Sequence, residues 1–249
     1  MKIVSGVSEI RGALKGHTSI GFVPTMGALH EGHISLVKKS NDENEITVAS
    51  IFLNPTQFNN PEDLAKYPVS TEQDIQLLKD ANCDILWMPQ YDDLYSDQYR
   101  YQVHENQFSK ELCGTHRPGH FDGVLTVVMK LLNIVRPRKA YFGEKDFQQL
   151  QLIRDMVQSF FMDVEIVNGP TVRDEFGLAL SSRNRRLSKN GIEKARSFNQ
   201  VLSQASDVQA AREELLRLGF EVDYIEEHFN RRFGAVNLEN IRLIDNVEI

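Results

Sequence analysis

Several features that mark large classes of protein are missing from this sequence. Cysteine occurs only twice, as Cys83 and Cys113, and no CxxC pair is present. Zinc ribbons and thioredoxin-type redox motifs are therefore excluded, and both thiols are expected to be reduced. No segment approaches the roughly 18 apolar residues of a membrane span, and the N-terminus lacks the apolar core of a signal peptide. We expect a cytoplasmic protein that does not bind membranes.

Excess positive charge and the commonest nucleotide-binding motifs are also missing. The formal net charge is −7, which does not favour nucleic acid as a partner. Neither GxGxxG nor GxxxxGKS/T occurs, which argues against a dinucleotide-binding fingerprint and against a P-loop kinase. A hydrophobic content of 41% is enough to build a core. The expected partners are small molecules.

Strand-like and helix-like segments alternate over the first 170 residues or so. Short apolar runs predict strands at 19–24, 46–53, 84–88, 139–142 and 163–167. Helices are predicted from about residue 34 and at 70–80, 119–135 and 146–160. This alternation predicts an α/β fold in which a Rossmann-like parallel sheet carries helices on both faces. Ligands of such sheets bind beyond the carboxyl ends of the strands.

The pattern changes near residue 170, where a loop-like segment with four arginines begins. Helices are predicted at 189–206 and 208–218, and strands in FEVDYI and NIRLIDNVEI. We therefore expect two domains: residues 1–170 form the α/β ligand-binding domain, and residues 171–249 form a smaller α+β domain.

The stretch PTMGALHEGH (24–33) places two histidines between a predicted strand and a predicted helix. One interpretation is a metal site, but zinc proteases need HExxH, whereas these histidines are three residues apart with Gly32 between them. A surface turn is the second interpretation. The third is an anion cradle, because a helix N-terminus offers free N–H groups, and histidines can donate hydrogen bonds to phosphoryl oxygens. The anion cradle fits best, and the other two stay open.

Two further motifs carry phosphate-binding groups. In FGEKD, Lys145 could reach a triphosphate as a mobile charge, although a solvated helix start with Asp146 as N-cap is the simpler interpretation. In LSSRN, Ser181 and Ser182 offer hydroxyl and N–H groups, and Arg183 offers a fork for phosphate. The alternative for LSSRN is a polar interdomain loop.

Uncharged amides follow the predicted strand in SIFLNPTQF. Asn54 and Gln57 suit the hydroxyl and carboxylate groups of a small substrate, although Asn-Pro also forms ordinary turns. Asp74, four residues after Ser70, is a candidate magnesium ligand, because Mg²⁺ bound with ATP needs only one or two carboxylates. An aspartate on a helix surface is the simpler interpretation of Asp74.

Taken in order, these motifs resemble those of one family. PTMGALHEGH, SIFLNPTQFNNPEDLAKYP, RPGHFDGV, FGEKDFQQL, LALSSRN and RLIDN are similar to motifs of the pantothenate synthetases, or pantoate–β-alanine ligases. That family belongs to the HxGH nucleotidyltransferases, relatives of the class I aminoacyl-tRNA synthetases. The resemblance spans residues 20–188 almost without a gap. It implies a homodimer in which residues 1–170 bind nucleotide and pantoate and residues 171–249 form a lid.

The reaction implied by the resemblance condenses (R)-pantoate with β-alanine in two steps. The pantoate carboxylate first attacks the α-phosphorus of ATP, and pyrophosphate leaves. The amine of β-alanine then attacks the pantoyl adenylate, and AMP leaves. ATP is the implied co-substrate, and Mg²⁺ is the implied metal.

The resemblance also assigns roles to individual residues. It implies that His30 and His33 hold phosphoryl oxygens, with His33 as the proton donor. Lys145 and Arg183 stabilise the phosphates. The residues implied to bind pantoate or β-alanine are Gln57 and Gln149, and the implied magnesium residue is Asp74. The residues implied to line the ATP site are Met26, Gly27, Ala28, Leu29, His30, Glu31, Gly32, His33, Gly143, Glu144, Lys145, Asp146, Val172, Leu180, Ser181, Ser182 and Arg183.

Some positions depart from the family pattern. Thr56 stands where the family usually has Met, so the apolar wall of the pantoate pocket is expected to differ. Val69 and Ser70 replace the usual Arg-Thr, which puts a surface or intersubunit contact in doubt. The C-terminal region is shorter than is usual in the family, and a trimmed lid is expected.

Three other functions stay open at this point. An adenylyltransferase acting on phosphopantetheine would share the nucleotide motifs, although Gln57 and Gln149 suit a small hydroxy acid better. A metal-dependent hydrolase would use His30, Glu31 and His33, and would bind zinc stoichiometrically. A non-enzymatic nucleotide sensor would bind ATP without releasing pyrophosphate.

Overall fold

The computed structural model describes residues 1–249 and contains two separate sheets. Six parallel strands form the larger sheet in the order β1-β4-β3-β2-β5-β6, and three antiparallel strands form the smaller sheet in the order β7-β8-β9. The predicted α/β fold with a smaller α+β region is confirmed. No helix combines the length and the apolar character needed to cross a membrane.

The strands are β1 (Lys2–Val4), β2 (Ile20–Thr25), β3 (Ile46–Ile51), β4 (Ile85–Trp87), β5 (Lys139–Gly143), β6 (Glu165–Gly169), β7 (Glu221–His228), β8 (Arg231–Leu238) and β9 (Ile241–Glu248). The α-helices are α1 (Val7–Ala13), α2 (Glu31–Glu43), α3 (Pro61–Ala65), α4 (Thr71–Asp80), α5 (Tyr91–Leu94), α6 (Cys113–His116), α7 (His120–Val135), α8 (Phe147–Ser159), α9 (Lys189–Gln204) and α10 (Val208–Arg217). Short 3₁₀ turns cover Pro55–Gln57, Phe108–Lys110, Glu144–Asp146 and Ser182–Arg186.

The central strands of the large sheet are buried, which explains their nearly continuous apolar sequences. In β3, the first five residues of ITVASI are buried, as expected for a parallel strand covered on both faces. Helix α7 is apolar around most of its circumference because it packs into the main core. These predicted elements agree with the structure to within a few residues. Helix α2 begins three residues before its predicted start, because His30 serves as its N-cap.

The order of the strands brings three of the sequence motifs to the edge of the sheet where ligands are expected. From β2 the chain moves to β3 and β4 on one side, and later continues through β5 and β6 on the other side. The direction therefore reverses between β2 and β5, and crevices form beyond the carboxyl ends of strands at such a switch point. PTMG follows β2, NPTQF follows β3 and FGEKD follows β5, so the three motifs meet at this edge.

Strand β8 was missed at the sequence level because its sequence, RRFGAVNL, neither alternates nor forms the continuous apolar run that marks the buried strand β3. Phe233 and Ala235 point into the main core, whereas Val236 and Leu238 pack against α9 and α10. A strand with two buried faces shows no polar alternation. Its hairpins turn at Phe229-Asn230 and Glu239-Asn240, and all four residues have positive φ. Glycine, the usual marker of such two-residue turns, is absent from both.

The small sheet is joined to the large domain through the RLIDN segment of β9. The Asn246 Nδ2 group donates hydrogen bonds to the carbonyl oxygens of Glu144 (2.9 Å) and Lys145 (3.1 Å). Beside it, Arg173 forms a two-pronged ion pair with Asp245, whose side chain is almost fully buried. The C-terminal region therefore contacts the backbone of the turn that carries Lys145.

Candidate active site

A cavity of about 230 Å³ lies at the switch point between β2 and β5. Most of the residues implied by the family resemblance line it. They are Met26, His30, Gly32, His33, Gln57, Gly143, Lys145, Asp146, Gln149, Val172, Leu180, Ser181, Ser182 and Arg183. Six others do not reach its wall. They are Gly27, Ala28, Leu29, Glu31, Asp74 and Glu144.

His30 and His33 accept hydrogen bonds from backbone N–H groups at the N-terminus of α2. The Gly32 N–H donates to His30 Nδ1 at 3.1 Å, and the His30 N–H donates to His33 Nδ1 at 3.3 Å. Each Nδ1 therefore accepts a hydrogen bond from the backbone. The neutral form of each ring must then carry its proton on Nε2. Both histidines are thus N–H donors on the cavity wall.

The surroundings keep both rings neutral. Burial, followed by the charges of His33 and Lys145, lowers the pKa of His30 to about 3. Burial, followed by the charge of Lys145, lowers the pKa of His33 to about 4. A neutral imidazole beside a cation can donate to an anion without adding a second like charge.

Gly32 has a packing role between the two histidines. A Cβ atom at this position would lie 2.9 Å from Cε1 and from Nδ1 of the His30 ring. The His30 ring is held over the glycine and lies 4.1 Å from the His33 ring, centroid to centroid. A side chain at position 32 would therefore displace the His30 ring from its contact with the His33 ring. Glu31 is exposed in the first turn of α2, as expected for a helix-start residue.

Asp74 holds the turn that precedes α2 and does not face the cavity. Its Oδ2 accepts from the Ala28 N–H and its Oδ1 from the Leu29 N–H, both at 2.8 Å, and Ser70 donates to Oδ1 at 3.0 Å. The carboxylate is 1% exposed. Three protein donors therefore already occupy the carboxylate, and magnesium binding by Asp74 stays a prediction from the resemblance. Its negative charge stabilises a turn in which Gly27 and Ala28 both have positive φ.

Lys145 and Arg183 reach the cavity from two different 3₁₀ turns. The Lys145 side chain is 18% exposed, and its closest carboxylate oxygen, from Asp146, is 3.9 Å away. Arg183 is paired with Asp63 at 2.7 Å. The Ser182 hydroxyl donates to the Ala28 carbonyl at 3.0 Å, which ties the LSSRN segment to the turn before α2. Together with His30 and His33, Lys145 and Arg183 form what we call the donor wall.

Gln57 and Gln149 form a second, uncharged surface, which we call the amide wall. Gln57 is buried, its Nε2 lies 3.1 Å from the Met26 sulfur, and its Oε1 accepts from Asn54 Nδ2 at 3.0 Å. The Gln149 side chain has no hydrogen-bond partner within the protein. The Gln149 amide is therefore free to bind a ligand.

Thr56 does not line the cavity, which corrects the expectation that it alters an apolar wall. Its hydroxyl donates to Asn54 Oδ1 at 3.0 Å and lies 3.2 Å from the Tyr95 hydroxyl. Thr56 thus helps to hold the side chain of Asn54 in place. Val69 is 76% exposed and makes no comparable contact.

The apolar floor of the cavity was missed at the sequence level. It comes from one face of α7 and from single side chains elsewhere, namely Val124, Val127, Val128, Leu131, Phe52 and Tyr67. The apolar run of α7 predicts a buried helix, but nothing in its composition separates a residue facing a ligand from one facing the core.

A metal held by protein side chains alone does not fit this site. No three His, Cys, Asp or Glu side chains in the chain come together as metal ligands. Both Nδ1 atoms of the histidine pair are already occupied by backbone N–H groups. Asp146 is the only carboxylate on the cavity wall. The zinc-hydrolase interpretation of HEGH therefore has no structural support.

Comparison with known proteins gives one consistent result. The family model described as pantoate-beta-alanine ligase matches residues 2–248. The chain is 55% identical to a pantothenate synthetase of Bdellovibrio bacteriovorus, over 93% of this chain and 92% of the relative. It is 49% identical to a pantothenate synthetase of Legionella pneumophila, over 99% of both chains. That relative is thus matched over nearly its whole length, so it shares the short C-terminal region.

Solved structures agree with the sequence comparison. A crystal structure of pantoate-beta-alanine ligase from Francisella tularensis, complexed with beta-gamma ATP and beta-alanine, superposes with a TM-score of 0.95 at 42% identity. The match covers 100% of this chain and 97% of that one. Pantothenate synthetase from Thermus thermophilus superposes with a TM-score of 0.94 at 40% identity, over 100% and 99% of the two chains.

Proposed function

The chain belongs to the pantoate–β-alanine ligase family, and from this premise we propose that it condenses pantoate with β-alanine through a pantoyl adenylate at the cost of ATP. One observation carries the proposal: four side chains with N–H donors and two neutral amides line a single cavity. A reaction that joins an anionic carboxylate to an anionic phosphate needs such an arrangement.

The donor wall suits the phosphates of ATP. A carboxylate needs no general base to attack phosphorus, so the enzyme must mainly orient two anions and offset their repulsion. Lys145 and Arg183 supply positive charge, and His30 and His33 supply neutral Nε2–H donors. His33 is the proposed proton donor to the leaving phosphoryl oxygen. Its pKa of about 4 makes the imidazolium form rare at neutral pH, so its hydrogen bond does most of this work.

The amide wall suits pantoate. Gln57 and Gln149 can hydrogen-bond the hydroxyl and carboxylate oxygens of a small acid without adding charge. The apolar floor of α7 accommodates the hydrocarbon part of the acid and excludes water from the adenylate. In the second step the amine of β-alanine attacks the activated carbonyl, and AMP leaves from the donor wall.

Magnesium fits this cavity only as an ion that arrives with ATP. The one carboxylate available is Asp146, whose side chain is 47% exposed. Mg²⁺ keeps several waters and binds through substrate phosphates plus one or two carboxylates. We propose Asp146 as the protein group nearest to such an ion, which would neutralise part of the phosphate charge.

The assignment extends to domain roles and assembly. Residues 1–170 are proposed to bind nucleotide and pantoate, and residues 171–249 to form a lid. The contact of Asn246 with the backbone of Glu144 and Lys145 supports a lid that orders the lysine turn. The homodimer stays a prediction from the resemblance, and the cytoplasmic location stays a prediction from the sequence composition.

The test is pyrophosphate release measured with ATP and pantoate, with and without β-alanine. We expect release with pantoate alone to stop near one equivalent per site, and β-alanine to convert it into continuous turnover with pantothenate and AMP as products. Release that does not depend on pantoate would contradict the proposal. Phosphopantetheine is the control substrate and should give none.

A further inference from the structure

The RPGHFDGV segment reaches the cavity only through Val124 of the apolar floor, and its polar residues have received no role so far. It starts at Arg117 and continues into the first turn of α7. This turn of α7 packs directly behind the Pro55–Gln57 turn that carries one of the two cavity amides. His120 in this segment is 8% exposed.

Two side chains of this segment form hydrogen bonds with the backbone of Gln57. The Gln57 carbonyl oxygen accepts from His120 Nδ1 at 2.8 Å and from Arg117 Nη2 at 3.3 Å. Arg117 Nη1 also lies 2.9 Å from His120 Nε2. The three groups form a closed triangle of hydrogen bonds around one carbonyl oxygen. Because a carbonyl can only accept, His120 must carry its proton on Nδ1, and its Nε2 accepts from Arg117.

Two other contacts press the same turn against α7. A Cβ atom on Gly123 would lie 2.5 Å from the Thr56 carbonyl oxygen and 2.7 Å from the Gln57 Cα, so the backbones touch. Asn54 Nδ2 donates to the Gly123 carbonyl at 3.2 Å and to Gln57 Oε1 at 3.0 Å. The Gln57 side chain is thus held from one end and its carbonyl from the other.

The neutral state of His120 is compatible with this geometry. Burial, followed by the charge of Arg117, lowers the pKa of His120 to about 3. The ring therefore keeps one donor and one acceptor at neutral pH. A protonated ring would point a second N–H at the Arg117 guanidinium, and the triangle would open.

We propose that His120 is a positioning residue, whose Nδ1–H holds the carbonyl of Gln57 so that the Gln57 carboxamide stays aimed at the acid substrate. Arg117 supports it by fixing the His120 tautomer. His120 is not on the wall of the main cavity, so it acts through Gln57 and does not itself touch the acid. The substrate side of this proposal rests on the proposed function.

The test compares two substitutions of nearly equal shape, His120→Asn and His120→Leu. Asparagine can place its Nδ2 where His120 Nδ1 lies and so keep the donor, whereas leucine cannot. We expect His120→Leu to lower kcat/KM for pantoate about tenfold, because the Gln57 carbonyl loses a buried partner and the amide moves. His120→Asn should recover most of this loss. The KM for ATP should stay within about twofold in both variants, since the donor wall is intact.

A second measurement needs no substrate. Hydrogen exchange of the backbone amides in residues 54–60 of the free protein should be faster in His120→Leu than in wild type, and near wild type in His120→Asn. Equal exchange and equal pantoate kinetics in the two variants would overturn the proposal. If wild type makes no pantothenate, the proposed function fails, but hydrogen exchange still decides whether His120 holds the turn.

Arg117→Lys is a second test of the proposal, which still applies if the His120→Leu variant misfolds. Lysine keeps the charge but cannot contact both His120 Nε2 and the Gln57 carbonyl as a guanidinium does. We expect a smaller loss, about threefold in kcat/KM for pantoate, with an unchanged KM for ATP. A loss for ATP as large as the loss for pantoate would show a general structural defect and would overturn the positioning role.

Discussion

The donor wall and the amide wall line one cavity, yet they differ in charge and in how their polar groups are held. The donor wall presents N–H groups from a helix N-terminus and from two 3₁₀ turns, with two full positive charges among them. The amide wall is neutral, and its Gln57 is held by hydrogen bonds from Asn54 to the side chain and from His120 to the backbone carbonyl. The difference teaches that one wall is suited to developing charge and the other to orientation of a small acid.

The largest effect that separates the walls is expected from Lys145→Ala. Loss of this charge should lower the rate of pyrophosphate release by on the order of 10²-fold or more. The KM for pantoate should change by less than about threefold, because the amide wall remains intact. Lys79→Ala, which removes an exposed lysine from α4, is the matched control and should change neither the rate of pyrophosphate release nor the KM for pantoate. Near-normal pyrophosphate release by the Lys145 variant would remove the basis for the donor wall.

On the amide wall, Gln149→Leu is expected to act mainly on the acid. The free amide of Gln149 is lost, so kcat/KM for pantoate should fall roughly tenfold, while the KM for ATP stays within about twofold. Gln151→Leu is the control on the same helix, because Gln151 points away from the cavity and bonds Asp155. Equal losses for both substrates would mean that the two walls do not divide the work as described.

A smaller effect on the donor wall is expected from Gly32→Ala. The new Cβ would lie 2.9 Å from the His30 ring, which must turn away from its rotamer. The strain is worth about 1 kcal/mol, so pyrophosphate release should fall about fivefold with little change in the KM for pantoate. The control is Gly12→Ala in α1, where a Cβ meets nothing within 4 Å. An unaffected rate would show that the position of the His30 ring does not matter.

A last expected effect is not on catalytic rates but on acid stability, to which both walls contribute. The pKa values of His30, His33 and His120 are lowered to about 3, 4 and 3. An unfolded histidine titrates near 6.5. Between about pH 6.5 and pH 4 the unfolded chain therefore binds protons that the folded chain does not, so the free energy of unfolding falls as the pH decreases.

His120→Asn should remove one of these three contributions. We expect the free energy of unfolding, measured by urea denaturation at pH 7 and pH 5, to depend less steeply on pH in this variant. The difference in slope should correspond to the uptake of about one proton fewer on unfolding than in wild type. An unchanged slope would mean that His120 is already protonated in the folded protein at pH 5. The closed triangle around the Gln57 carbonyl would then be wrong.

Much of the architecture was predictable because local pattern reflects burial. The apolar runs of β2, β3 and β5 and the long apolar helix α7 each indicated an element within a few residues of its observed bounds. Strand β8 was not predictable, because the buried Arg231 and Arg232 interrupt its apolar pattern and its turns lack glycine. Rules based on alternation detect strands with one solvent face.

In the candidate site, too, some residues were predictable from the sequence and others were not. The residues of the donor wall lie in the motifs singled out from the sequence, and each has a side chain whose chemistry suits an anion. The contacts of Asp74 were not predictable, because a carboxylate looks the same in sequence whether it faces a ligand or accepts from two backbone N–H groups. The prediction that Thr56 alters an apolar wall of the cavity was wrong, because its hydroxyl contacts Asn54 and Tyr95, and Tyr95 is a partner far along the chain.

By itself, the sequence determined the class of the fold, the alternation of strands and helices over the first 170 residues or so, and the motifs that meet at the switch point. Those properties follow from short-range periodicity and from the chemistry of single side chains. Only the tertiary structure decided which side chain His120 supports, which group Asp74 binds, and which carbonyls Asn246 contacts. Each of these contacts joins residues more than 40 positions apart, and no local pattern encodes such a pairing.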